Sequence, residues 1–107
     1  MPALQDLGSK EYNLWMKTHR LKTWIAYYDE VAAGRKTFEI RENDRDYAVG
    51  DHLVLMRWDP EQGCATGEEM TVLVTYLTDA KAFAALQPGR VCMSIRPVEA
   101  EDADGAP

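Results

Sequence analysis

The chain has 107 residues, 28% of them charged and 46% hydrophobic, which suits one small globular domain and excludes collagen-like and wholly disordered chains. A formal net charge of −6 argues at first against a nucleic-acid partner, yet the charge is segregated. Lys17 to Arg45 holds seven bases against five acids, whereas Val98 to Pro107 holds Glu99, Glu101, Asp102 and Asp104 and no base.

Residues 1–16 show weak periodicity and are broken by Gly8-Ser9, so they read as an N-terminal arm or extension, with Met16 an alternative start. They carry neither a basic start nor an apolar run, and no stretch approaches a membrane span, so a cytoplasmic protein is expected. Thr18 to Lys22 alternates as a short strand with Arg20 and Lys22 on one face and His19 as a hydrogen-bonded structural residue. Trp24, Ile25, Tyr28, Val31 and Ala32 then recur at helical spacing, which predicts an amphipathic helix of about three turns. Thr23 is its expected N-cap and Gly34 its stop, with Trp24 and Tyr28 facing the core and Tyr27 pointing elsewhere.

Thr37 to Arg41 sets Phe38 and Ile40 against Thr37, Glu39 and Arg41, the period-2 signature of a half-buried strand. Asn43-Asp44-Arg45-Asp46 and Val49-Gly50-Asp51 are turn chemistry, and a strand follows from His52 to Trp58. Asp59-Pro60 and Gly63 open a loop expected to run to Glu69, before a strongly β-branched strand from Met70 to Leu77. Thr78 or Asp79 is expected to cap a short helix through Leu86, stopped by Pro88-Gly89 ahead of a last strand, Val91 to Arg96. Residues 98–107 read as an acidic disordered tail. The order of elements predicts a mainly β (α+β) fold over residues 17–97, a small barrel with one or two helices over its openings.

Cys64 and Cys92 have no CxxC spacing and only His19 and His52 as helpers, so free thiols and no metal or cofactor are expected. No Ser-His-Asp set, P-loop, HExxH or GxGxxG is present. The densest polar sequence runs from Gly34 to Arg45: a glycine reverses the chain, Lys36 sits at the bend, and Thr37, Glu39 and Arg41 share a face. A carboxylate there can accept from amino and ring N–H groups, and Lys and Arg can donate to carbonyl or phosphate oxygens. The plain alternative is a solvated strand face on which Glu39 pairs with Arg41 or Lys36. Asn43 and Arg45 read equally well as a turn and as ligand contacts, and Arg20 and Lys22 extend the basic patch.

The segment Ala33-Gly34-Arg35-Lys36-Thr37-Phe38-Glu39-Ile40-Arg41, followed by Val49-Gly50-Asp51, resembles the signature of the ASCH domain of the PUA-like superfamily. With Thr18 to Lys22, Asn43 to Tyr47, Trp58-Asp59-Pro60 and Thr66-Gly67, it resembles a branch of that group found in phages and bacteria. The resemblance implies a pseudobarrel of five to six strands with a cleft beside the helix, suited to RNA or to a modified base or nucleoside. It implies binding by Lys36, Glu39 and Arg41, with Trp24 or Tyr47 stacking on a base. Some ASCH proteins are amidohydrolases that remove an acyl group from a modified cytidine, using a Lys and a Thr of this motif and a distant Glu. Here Lys36 matches the lysine, Glu39 occupies the position of that Thr, and Glu68, Glu69 and Asp79 are candidates for the distant acid.

Three functions follow as expectations. The first is a module binding RNA or a modified nucleoside through Lys36, Glu39, Arg41, Thr37, Asn43, Arg45, Lys22, Trp24 and Tyr47. The second is a small metal-independent amidohydrolase with Lys36 catalytic, and the third a phage-type regulator or inhibitor that binds a host protein. A monomer or weak dimer is expected in each case.

Overall fold

The computed structural model describes residues 16–99; the expected N-terminal arm, apart from Met16, and the acidic tail beyond Glu99 lie outside the described residues. The elements are β1 (Thr18–Trp24), α1 (Ile25–Ala32), β2 (Phe38–Glu42), β3 (His52–Asp59), β4 (Cys64–Asp79) and β5 (Arg90–Pro97). The five strands make one curled half-barrel sheet in the order β1-β3-β4-β5-β2. Only β1 and β3 run parallel, with Leu21 opposite Leu55 and Trp24 opposite Trp58; the other pairs are antiparallel.

Alternation builds the core. His19, Leu21 and Thr23 of β1, Leu53 and Leu55 of β3, Val72 and Val74 of β4, and Val91, Met93 and Ile95 of β5 all face inward. Full burial of each large apolar side chain among these contributes about 1.5–3 kcal/mol. Helix α1 adds Tyr28 and Val31, one turn apart, to the same cluster.

The helix is shorter than its apolar spacing suggests. β1 continues through Trp24, which becomes the N-cap residue without a side-chain cap, and eight helical residues make little more than two turns. Thr23 does not cap: its hydroxyl donates to the Leu21 carbonyl at 3.2 Å. Arg57 of β3 straps the helix down, its Nε donating to Asp29 at 2.9 Å while its Nη1 reaches Glu68 at 3.2 Å. At the far end Gly34 takes φ 79, and the Arg35 and Lys36 amides both donate to the Glu30 carbonyl, at 3.0 and 3.1 Å.

Two other segments differ from expectation. The stretch after Asp59 is not a loop to Glu69 but a tight turn: Asp59 Oδ1 accepts from the Glu61 and Gln62 amides, Gly63 donates to the Asp59 carbonyl at 2.8 Å, and β4 starts at Cys64. Between Asp79 and Arg90 the chain makes turns and no helix forms, so α1 is the single helix among the described residues. Asp79 Oδ1 accepts from the Lys81 and Ala82 amides at 3.0 Å each, as a helix cap would. Phe83, however, stays exposed, and without an apolar surface to cover, the short segment lacks the packing that sustains a helix.

Candidate functional site

Strand β2 is turned over relative to its hydrophobic pattern. Phe38 and Ile40, expected on the buried face, are 44% and 49% exposed, while Glu39 between them is 3% exposed. Burying a carboxylate is tolerated only with charged or hydrogen-bonding partners, and the local sequence supplies two. Lys36 Nζ lies 2.5 Å from Glu39 Oε2, and Arg41 Nε donates to Oε1 at 2.9 Å. The helix end makes the first contact possible, because the Glu30 carbonyl fixes the backbone of Lys36 just before its side chain turns inward.

Arg41 then spans the gap between the two sheet edges. Its Nη1 donates to the Lys22 carbonyl and its Nη2 to Thr23 Oγ1, both at 3.1 Å. Arg45 repeats the contact two residues back, its Nη1 donating to the Arg20 carbonyl at 2.9 Å. Alternate carbonyls of a strand point to the same side, so two guanidinium groups occupy the β1 edge where a sixth strand would pair. The half-barrel is closed at this seam by side chains.

Along the seam runs a cleft of about 1010 Å³ between β1, the start of α1, and β2. Its cations are Lys22, Lys36, Arg41, Arg45 and Arg90, against Glu39, Glu42 and Asp44, so an acidic protein presents a net positive hollow. Trp24 and Tyr27, each 53% exposed, stack at its rim with ring centroids 6.4 Å apart and planes 20° from parallel. Lys36 Nζ lies 6.0 Å from the Tyr27 ring and 4.8 Å from that of Phe38, within cation–π reach of both. Tyr47 forms part of the wall: it is buried, packs edge-on against His19 at 4.7 Å, and burial pushes its phenol above the usual range.

Seven of the nine sequence-derived candidates therefore line one hollow: Lys22, Trp24, Lys36, Glu39, Arg41, Arg45 and Tyr47. Trp24 does so as an exposed ring, contrary to its expected place in the core. The other two lie elsewhere. Thr37 precedes β2, and its carbonyl accepts from the Ile95 amide at 3.0 Å. Asn43 lines a neighbouring hollow beside Gly89, and its Oδ1 accepts from the Tyr47 amide at 3.3 Å, a turn role.

The three acids matched to the distant glutamate stand outside the cleft lining: Glu68 pairs with Arg57, Glu69 with Arg20, and Asp79 holds its own turn. Tyr27 and Thr23 are site residues that pattern reading misses, Tyr27 because it lies off the apolar stripe. Asp51, a turn residue by its sequence, is completely buried: Oδ1 accepts from the Lys17 amide at 3.0 Å, and Oδ2 from the Ala48 amide at 3.1 Å while lying 2.8 Å from His19 Nε2. It fixes β1 against the turn that leads into β3. Both cysteines are free, and among the described residues no set of three or more His, Cys, Asp or Glu is arranged to hold a metal. No described helix is long and apolar enough to cross a membrane.

Fold and site together define a small β half-barrel whose side-chain-closed seam frames a basic, aromatic-rimmed cleft. Residues 18–95 match a family described as a domain of unknown function, DUF3850, and the chain belongs to that family. Over 63 residues, 59% of the chain, it is 40% identical to a protein of Escherichia phage P2 described as an uncharacterized 12.9 kDa protein in the GpA 3′ region. That match spans 56% of the phage protein's length.

Proposed function

We propose that the protein is a nucleic-acid-related binding module that takes RNA, or a modified base or nucleoside, into the seam cleft in the cytoplasm. The observation that carries this reading is the concentration of cations beside an exposed Trp24–Tyr27 shelf in a chain of net charge −6. An aromatic face accepts an unstacked base, and Lys or Arg donates to its carbonyls or to phosphate. Lys36 keeps donor capacity for a ligand, since its ammonium has three N–H groups and its partners here are Glu39 and the Phe38 carbonyl, the latter at 2.6 Å. Arg41 serves first as the seam's closure and contacts a ligand with what remains of its fork. A PUA-like, ASCH-type relationship fits the half-barrel with a cleft beside its helix and the sequence Gly34-x-Lys36-x-x-Glu39-x-Arg41.

A second reading, the metal-independent amidohydrolase acting on acylated nucleosides, draws on the Lys36–Glu39 pair inside the cleft. Glu39 stands where the resembling enzymes have a threonine, so a hydroxyl nucleophile is absent from that position.

Titration of the purified protein with short RNA, short DNA and a panel of modified nucleosides at low and moderate salt, followed by mass analysis of the ligands, tests these readings. Binding that weakens with salt, falls about tenfold in Lys36→Ala and leaves the ligand unchanged is the expected result. Conversion of an acylated nucleoside replaces it with the enzyme. No binding at all moves a host-protein partner, in keeping with the phage relative, to the front.

A further inference from the structure

The stacking groups do not stop at the rim of the cleft. Trp58 of β3 lies directly opposite Trp24 in the parallel β1–β3 pair, and cross-strand partners share a face of the sheet. Trp58 is outside the cleft lining, and it is half-buried, so part of its indole meets solvent. Lys22, which alternates outward with Trp24, places its Nζ 4.3 Å from the centroid of the Trp58 ring.

Lys22 also differs electrostatically from the arginines around it. Arg20 pairs with Glu69, Arg57 with Asp29 and Glu68, and Arg41 with Glu39. Among the described residues no carboxylate pairs with Lys22, and a contact with a ring face consumes none of its N–H donors. Adjacent strands lie about 4.8 Å apart. Trp58 thus has the Lys22 ammonium over its ring and Trp24 directly opposite it, Trp24 stacks on Tyr27, and Lys36 lies within reach of the Tyr27 ring, so rings and cations run together from the β3–β4 hairpin into the cleft.

We propose that this row is a track for a single-stranded polynucleotide: the cleft takes one base, the Lys22 ammonium leaves the Trp58 ring to meet the following phosphate, and Trp58 stacks the neighbouring base on the face of β1 and β3. The proposal rests on the binding reading above and makes it more specific, since a free nucleoside would use the cleft alone. Alternating aromatic faces and cations suit a sequence-tolerant single strand, because every base offers a π-face and every nucleotide a phosphate. A duplex keeps its bases stacked on one another and gains nothing from Trp58.

The test is fluorescence anisotropy with labelled octauridylate and octathymidylate, the duplex of matching length, and uridine monophosphate as competitor. Wild-type protein is expected to bind the single-stranded octamers more tightly than the mononucleotide or the duplex. Trp58→Ala is expected to lower the octamer-to-mononucleotide affinity ratio about tenfold and Trp58→Phe to restore most of it, which separates stacking from a loss of fold. Lys22→Gln removes one phosphate contact, so the slope of log affinity against log salt should flatten by about 0.7. Trp24→Ala weakens octamer and mononucleotide together.

An octamer that binds no better than the mononucleotide, or a duplex that binds as well as the single strand, overturns the track and leaves the cleft reading standing. So does an unchanged ratio in Trp58→Ala with an unchanged salt slope in Lys22→Gln. Failure of wild-type protein to bind any of these probes overturns the track, and failure to bind the modified-nucleoside panel as well overturns the cleft reading with it.

Discussion

Glu39 is the residue on which the site turns. An acid flanked by Phe38 and Ile40 belongs, by period-2 reading, on the solvent face, and a one-residue change of phase reverses every side chain of a strand. The Lys36 and Arg41 contacts outweigh the hydrophobic pattern because a buried carboxylate with two cationic partners is satisfied, while Phe38 and Ile40 forfeit only part of their burial. Tyr47, on the cleft wall, gives this scale its pH prediction. Burial raises its phenol above the ordinary value near 10.0, as it does for Tyr28. The unfolded chain therefore releases these protons at lower pH than the folded one, so stability present below about pH 10 declines as pH rises beyond it. Thermal melts from about pH 9 to about pH 11 should show a shallower alkaline decline in Tyr47→Phe than in wild type. Equal declines would mean that Tyr47 ionises as readily folded as unfolded.

Among the elements, the turn that ends α1 sets the site most directly. Gly34 at φ 79 lets the chain reverse so that the Arg35 and Lys36 amides close onto Glu30. A methyl group there would touch nothing within 4 Å, so Gly34→Ala carries backbone strain alone, about 1–2 kcal/mol. An unfolding free energy lowered by that amount is expected, read as a lower urea midpoint at unchanged slope; an unaltered midpoint would show that the turn adapts. The same elements show what sequence makes legible. β1, β3 and β5 follow from alternation, because each has one face in the core and one outside. The first half of β4 does not: its residues 64–69 are all exposed, and their strand geometry comes from pairing with β3 across the Asp59–Gly63 turn rather than from any apolar pattern. The absent helix after Asp79 has the opposite cause, adequate cap chemistry without a surface to pack against. Gly34, Lys36, Glu39 and Arg41 could be picked out as a group, but their partners on β1 could not. Thr23 Oγ1 and the Lys22 carbonyl come within reach only after the sheet curls.

At the scale of the whole molecule, the parallel β1–β3 pair and the long reach from β2 to β5 leave the sheet with two ends, β1 and β2, brought close and joined by guanidinium groups. An unpaired strand edge is a template on which another polypeptide can add. Here Arg41 and Arg45 already hold the carbonyls of Arg20, Lys22 and, through its hydroxyl, Thr23. In the double variant Arg41→Ala with Arg45→Ala, light scattering on warming should rise steeply with protein concentration, whereas Arg45→Ala alone, which leaves Glu39 its partners, should behave more nearly as wild type. Scattering from the double variant that is independent of concentration would point to unfolding within single chains instead. The arginines that frame the cleft are thus also chaperones of a kind, built into the fold: by keeping the β1 edge occupied, they guard the protein against growing into a polymer of itself.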